Sequence, residues 1–152
     1  RNRHHRNKRM PYHAIAYAST AFAGLTTEDI DLLLIDARGR NQIEGVTGVL
    51  LYDGSRFFQY LEGPDYGVSK VYSRIQESSK HARIEELFNG RVEATYFRQW
   101  YMACSRADSS ILQKFCTKEW RREALHVGEY HDVEPPEVLQ DLIQFWNEMR
   151  SD

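Results

Sequence analysis

The side chains that could do chemistry in this chain are two amides, a tyrosine and a tryptophan and methionine close together: Asn41, Gln59, Tyr17, Trp100 and Met102. An amide offers two donors and two acceptor lone pairs, so Asn41 and Gln59 suit a partner whose edge both donates and accepts. Gln59 sits between apolar neighbours in Phe57-Phe58-Gln59-Tyr60-Leu61. A buried amide left unpaired costs about 1–3 kcal/mol, so Gln59 needs such a partner. Each residue also has a plainer reading. Tyr17 reads as a core tyrosine bonded to a carbonyl, Asn41 as the cap of a helix end, Gln59 as a satisfied core amide and Met102 as a gap filler. No Gly-rich phosphate loop, no His-x-x-x-His pair and no Gly-x-Ser-x-Gly elbow accompanies them. Cys104 and Cys116 have neither zinc-ligand nor Cys-x-x-Cys spacing and read as reduced thiols, as in a cytoplasmic protein.

The elements that must hold these residues are outlined by the apolar pattern. Asp53-Gly54, between two runs of β-branched and aromatic residues, predicts a hairpin with a two-residue turn at positive φ. Alternation on its second strand puts Phe57, Gln59 and Leu61 on one face and Phe58, Tyr60 and Glu62 on the other. His13 to Ser19 reads as a first strand with Ile15 and Tyr17 on one face. Thr26 or Thr27 then caps a helix on which Ile30, Leu33, Leu34, Ala37 and Asn41 form a stripe. Gly63-Pro64-Asp65 opens a second helix, with Pro64 in its first turn and Val68, Val71, Tyr72 and Ile75 facing the sheet. Ile84 to Val92 reads as a strand, with Asn89-Gly90 able to make it a hairpin. Gln99 to Cys104 reads as the last strand, with Trp100, Met102 and Cys104 on one face. The order is an α+β, ferredoxin-like β-α-β-β-α-β-β sheet with two helices on one face. Both faces of the hairpin are apolar, so C-terminal helices are expected to cover the second. One starts at Ser109 or Ser110 and runs toward Trp120. The other follows Pro135-Pro136 and carries Leu139, Leu142, Ile143, Trp146 and Met149 or Arg150.

At 152 residues, 41% hydrophobic and 28% charged, the chain reads as one globular unit with no membrane-length apolar run and no secretory signal pattern. The net charge of −2 hides an asymmetry. Residues 1–9 hold five bases and no acid, leaving 15 basic against 22 acidic residues in the rest. Residues 1–10 read as a basic tail, either disordered or an expression-derived leader ahead of Met10. An acidic body disfavours nucleic acid as a partner, since backbone binding rests on clustered Lys and Arg.

Five blocks in fixed order resemble the BLUF family, the blue-light sensors that use flavin. They are Tyr17-Ala18-Ser19; Asn41 with Val46-Thr47-Gly48-Val49-Leu50; Phe57-Phe58-Gln59-Tyr60-Leu61-Glu62-Gly63; Tyr72-Ser73-Arg74-Ile75; and Phe97-Arg98-Gln99-Trp100-Tyr101-Met102. The resemblance implies a flavin-binding domain over 11–104, with 105–152 a helical cap, and a single strand running through Asn89-Gly90. It implies non-covalent FAD, with FMN or riboflavin as alternatives, held between the two helices. Asn41 would hold the pyrimidine edge of the flavin, and Gln59 would bridge the flavin and Tyr17. Tyr17 would be the electron and proton donor, and the Gln59 amide would rearrange by rotation or tautomerisation. Trp100 and Met102 would relay the signal into the last strand, Met102 also touching the cofactor. Arg74 and His81 match positions beside the ribityl chain and phosphate, with Arg40 a weaker candidate. Ser78 and Lys80 depart from the aspartate and arginine common there.

The resemblance leads to the expectation of a short, stand-alone photoreceptor in the cytoplasm, not an enzyme and not membrane-bound. It would act on a protein partner or on its own homo-oligomer through the C-terminal helices. Two alternatives remain at this point: a flavin-dependent oxidoreductase, which needs a second substrate pocket, and a ferredoxin-like RNA-binding module, which needs an open, basic sheet.

Overall fold

The computed structural model describes residues 12–78, 81–97, 100–117 and 137–150. The basic tail, Lys80, Arg98-Gln99, Trp120 and Pro135-Pro136 lie outside the described residues. The elements are β1 (Tyr12–Ala21), α1 (Thr27–Glu44), β2 (Thr47–Tyr52), β3 (Arg56–Gly63), α2 (Asp65–Gln76), β4 (His81–Val92), β5 (Ala103–Arg106), α3 (Ser109–Thr117) and α4 (Glu137–Arg150). The strands form one sheet in the order β4-β1-β3-β2-β5, with β2 and β5 parallel and every other pair antiparallel.

Central β3 is buried along nearly its whole length because it is apolar on both faces. Ile15, Tyr17, Leu50, Phe57 and Leu61 lie under α1 and α2, which contribute Ile30, Leu34, Val68, Val71 and Tyr72. Val49, Leu51, Phe58 and Tyr60 lie under α3 and α4, against Leu112, Phe115, Leu139, Leu142 and Trp146. Each such side chain taken out of water contributes about 1.5–3 kcal/mol, so the C-terminal helices complete a core that the sheet alone would expose.

Local chemistry fixes where α1 begins. Thr26 accepts from the Asp29 backbone N–H at 3.1 Å, and the Asp29 carboxylate accepts from the Thr26 N–H at 2.9 Å, a reciprocal cap. The two site helices cross closely at Gly67, where a Cβ would stand 2.2 Å from the Glu44 carbonyl oxygen.

Several local expectations are corrected. In the hairpin only Gly54 has positive φ, at 108°. Asp53 instead accepts from the backbone N–H groups of Ser55 and Arg56 at 2.9 and 2.8 Å, so the turn centres one residue later, on Gly54-Ser55. Pro64 is the N-cap of α2 and not part of its first turn. α3, by contrast, begins at Ser109 as expected, with Asp108 capping it by accepting from Ile111 N–H at 3.0 Å. β4 begins at His81, three residues earlier than its apolar pattern shows. Two register shifts against β1 place extra residues on β4, and Arg83 takes φ 58° at the second. Asn89-Gly90 continues the strand, paired with Ile15 and Ala14.

The largest correction concerns the last strand. Regular pairing starts only at Ala103, opposite Val49, and residues 100–102 run irregularly. Trp100 and Met102 therefore do not share a face. Trp100 packs in the α3–α4 layer, 6.0 Å from the Trp146 ring, while Met102 is 1% exposed in the α1–α2 layer.

Candidate functional site

A cleft of about 520 Å³ opens between α1 and α2 above the sheet. Its size is that of a small-molecule or cofactor site. The floor holds Tyr17 from β1, Leu50 from β2, and Phe57 and Gln59 from β3. The walls hold Leu33, Ala37 and Asn41 from α1 and Val71, Arg74 and Ile75 from α2, with His81 and Met102 closing the ends. Tyr17, Asn41, Gln59, Arg74, His81, Met102 and the weaker candidate Arg40 thus share one cavity, with Ser78 on its rim. Trp100 is not among the lining residues.

The polar groups are wired in series. The Tyr17 hydroxyl donates to Gln59 Oε1. Gln59 Nε2 donates to Met102 Sδ at 3.1 Å. Asn41 Nδ2 donates to the Tyr101 carbonyl at 2.6 Å, and Arg38 Nε donates to the Met102 carbonyl at 2.8 Å. Asn41 Oδ1 is left without a protein partner among the described residues. Burial, aided by the neighbouring Tyr72, drives the Tyr17 phenol far above its ordinary range, so it stays a protonated donor.

His81 is built differently from the amides. Its Nε2 lies 3.2 Å from the Ile75 carbonyl, which can only accept, so Nε2 carries the proton and Nδ1 accepts from the Ser19 hydroxyl at 2.6 Å. Burial lowers its pKa, the Ile75 carbonyl opposing that shift, so the ring is neutral near pH 7. Both nitrogens are engaged within the protein. At the mouth, Arg40 pairs with Asp36 at 3.0 Å. Arg74 has no ion-pair partner among the described residues and is the cation best placed to meet an anionic ligand group.

Sequence reasoning missed Arg38 and, above all, Glu62. The Glu62 carboxylate is fully buried on the opposite face of β3. It accepts from Tyr96 N–H at 2.6 Å, Phe97 N–H at 2.5 Å and the Tyr60 hydroxyl at 3.2 Å. The signal was present: an acid at an inward position of a strand buried on both faces. Burial pushes its pKa up to about 7, against the pull of hydrogen bonds from Phe97, Tyr96, Tyr60 and Thr47. A raised folded-state pKa means the folded protein holds a proton that the unfolded chain has released. The stability from that proton is full below about 4.5 and is lost as pH rises through about 7. Between pH 5 and 8, wild type should lose on the order of 2–3 kcal/mol relative to Glu62→Gln. Urea unfolding of both proteins across that range measures it, and parallel profiles would remove the shifted proton.

Comparison with known proteins places this geometry. The family model described as BLUF, sensors of blue-light using FAD, matches residues 12–103. The blue light- and temperature-regulated antirepressor BluF of Escherichia coli (strain K12) is 43% identical over 58 residues, 38% of this chain and 14% of that protein. The photoactivated adenylate cyclase subunit alpha of Euglena gracilis is 34% identical over 70 residues, 46% of this chain and 7% of that protein. The chain thus spans a small part of these relatives' length. Among solved structures, the dark-state BLUF protein BlrB superposes with TM-score 0.61 at 27% identity, over 64% of this chain and 74% of that one. BlsA in its photo-activated state gives 0.62 at 27% identity, over 78% and 80%.

Proposed function

Because the chain belongs to the BLUF family of blue-light sensors using FAD, we propose that residues 11–104 form its flavin-binding domain and 105–152 a helical cap, and that it senses light through Tyr17, Gln59 and Met102 rather than turning over a substrate. The observation that carries this reading is the continuous hydrogen-bond chain from Tyr17 through Gln59 to Met102 along one cleft.

The residues fit a non-covalently held flavin, FAD first, with FMN and riboflavin sharing the ring that the cleft would grip. Leu33, Leu50, Val71 and Ile75 offer apolar walls for a flat ring, the Asn41 amide an acceptor for a ring N–H, and Arg74 a charge for a phosphate. The bound flavin supplies blue-light absorption and, when excited, an acceptor for an electron. Held against Gln59 Oε1, Tyr17 would be the residue that yields that electron and passes its hydroxyl proton to the Gln59 oxygen, and it would take both back, so no net chemistry would remain. What persists is the state of one amide. If Gln59 rotates, Nε2 faces the Tyr17 oxygen, which can accept, while Oε1 faces a thioether, which cannot donate. A tautomer of Gln59 makes Oε1 a donor to the Tyr17 oxygen while Nε2 keeps one hydrogen. Either change reverses the bond to Tyr17, and rotation also breaks the contact to Met102. A hydrogen bond made or broken here is worth about 1–3 kcal/mol, enough to shift a two-state population severalfold.

Met102 leads directly into β5, and β5 into α3, so the output surface is assigned to the last strand and the C-terminal helices, with Trp100 against Trp146 as a second relay. A protein partner or a second copy of this chain would read it. The relatives named as an antirepressor and as photoactivated cyclase subunits support a light-dependent output of this kind. No helix among the described residues is long and apolar enough to cross a membrane. An RNA-binding reading is disfavoured because Phe57, Phe58 and Tyr60 are at most 3% exposed, leaving no open sheet for bases.

The test is the visible spectrum of FAD-loaded protein in the dark, under blue light and during dark recovery. A small red shift that reverses is expected. Bound flavin that only bleaches, or never responds, would point to flavin redox enzymology, and failure to bind FAD would end the proposal.

A further inference from the structure

Glu62 stands three residues beyond Gln59 on β3, on the opposite face, in a layer otherwise made of apolar and aromatic side chains. It sits across from Ala14 on β1 and Thr47 on β2. A lone buried carboxylate is a poor way to stabilise a core, since an apolar residue of similar size avoids its desolvation. The backbone N–H groups of Tyr96 and Phe97, however, both donate to Oε2, which accepts from them whether or not the carboxyl holds its proton, while the Tyr60 and Thr47 hydroxyls, able to donate or accept, complete its shell. The two backbone donors belong to the connection between β4 and β5, far along the chain from Glu62.

Among the described residues of that connection, Phe97, Trp100, Tyr101 and Met102 are each tied by a hydrogen bond. The Phe97 carbonyl accepts from Trp100 N–H at 2.9 Å, and the Trp100 carbonyl accepts from Gly48 N–H at 2.8 Å. The Tyr101 carbonyl accepts from Asn41, the Met102 carbonyl from Arg38, and the Met102 sulfur from Gln59. Regular strand pairing begins only at Ala103. Where Met102 sits is therefore set by these ties, with Glu62 at the upstream end and Gln59 at the downstream end.

We infer that Glu62 is a positioning residue of the light-sensing site: it pins the β4–β5 connection to β3 at Tyr96 and Phe97 and thereby holds Met102 against Gln59. The inference rests on the light-sensing reading above. With the anchor in place, a change at the Gln59 amide acts on Met102 while Tyr96 and Phe97 stay held to β3. Without it, Tyr96 and Phe97 lose that tie whatever the amide does, and the Met102 sulfur contact that favours the dark orientation of Gln59 is weakened.

The test compares FAD-loaded full chains of wild type, Glu62→Leu and Glu62→Gln by flavin absorption, dark-recovery rate and light-minus-dark tryptophan fluorescence. Glu62→Leu is expected to keep the red shift, because the Tyr17–Gln59 hydrogen bond is untouched. Its dark recovery should slow at least fivefold, and its fluorescence change should vanish. Glu62→Gln, whose amide oxygen can still accept from Tyr96 and Phe97 while its nitrogen donates to Tyr60, should recover within twofold of wild type. Wild-type kinetics in Glu62→Leu, or Glu62→Gln as slow as Glu62→Leu, would overturn the assignment. Should Glu62→Leu fail to fold, amide hydrogen exchange of the wild type decides. Tyr96 and Phe97 amides as protected as those of β3 support the anchor, and amides exchanging as freely as surface ones overturn it. A wild type with no light response would overturn the light-sensing reading instead, and the same exchange measurement would still judge the anchor separately.

Discussion

Gln59→Leu is expected to retain its flavin and lose the light-induced red shift completely. Leucine fills nearly the volume of glutamine, and the local neighbours Leu50, Phe57 and Met102 are apolar, so the cleft should keep its shape. The grip on the flavin proposed for Asn41, Arg74 and the apolar walls is untouched. What disappears is the acceptor of the Tyr17 hydroxyl and the donor to the Met102 sulfur together. Leaving the Tyr17 hydroxyl unpaired costs about 1–3 kcal/mol, softened by the gain of an apolar side chain, so stability should fall modestly. The light response has no such cushion, because among the described residues no other amide stands between Tyr17 and Met102. A difference spectrum of the FAD-loaded variant under blue light measures it. A normal red shift would show that the persisting change is stored elsewhere than in the Gln59 amide.

How far the site is legible in the sequence depends on whether a residue's place is set by local periodicity. Gln59 alternates with Phe57 and Leu61, and Tyr17 with Ile15, on strands whose register leaves no freedom, so their shared face is legible. Asn41 continues the apolar stripe of α1 and its side chain lines the cleft, but it is not the cap of the helix end, because α1 runs on to Glu44 and Gly45 is its C-cap. Trp100 is misplaced by period-2 alternation because residues 100–102 are not in a strand. There, tertiary ties from Gly48 and Asn41 decide which way each side chain turns, and no local pattern records them. The β4 start escapes for a related reason, since its extra residues break the alternation where the strand begins. Glu62 is legible as sharing the face of Phe58 and Tyr60, but its role escapes because its partners Tyr96 and Phe97 lie in a connection whose ties no local pattern records.

Gly48→Ala should be among the most damaging single-methyl additions to this protein. A Cβ at position 48 would lie 1.9 Å from the Tyr60 carbonyl oxygen, 2.9 Å from its carbonyl carbon and 3.2 Å from Leu61 Cα. The obstacle is backbone in the paired partner strand, so no rotamer change can clear it. β2 has little room to yield, because it is held by β3 on one side and β5 on the other, with Val49 and Leu51 fully buried beside it. Relief requires opening the β2–β3 ladder near Leu61, and that also strains the Gly48 N–H bond to Trp100, one of the ties that lead to Met102. A loss of about 3–5 kcal/mol is expected, a large part of the roughly 5–15 kcal/mol a domain possesses. Gly39→Ala is the matched control: it is helical, has nothing within 4 Å of its added Cβ, and should gain about 0.5–1 kcal/mol. Urea denaturation of the two variants beside wild type measures both. Equal stability in Gly48→Ala would mean that β2 and β3 do not approach this closely, and the tie that passes through Gly48 to Trp100 would have to be redrawn with them.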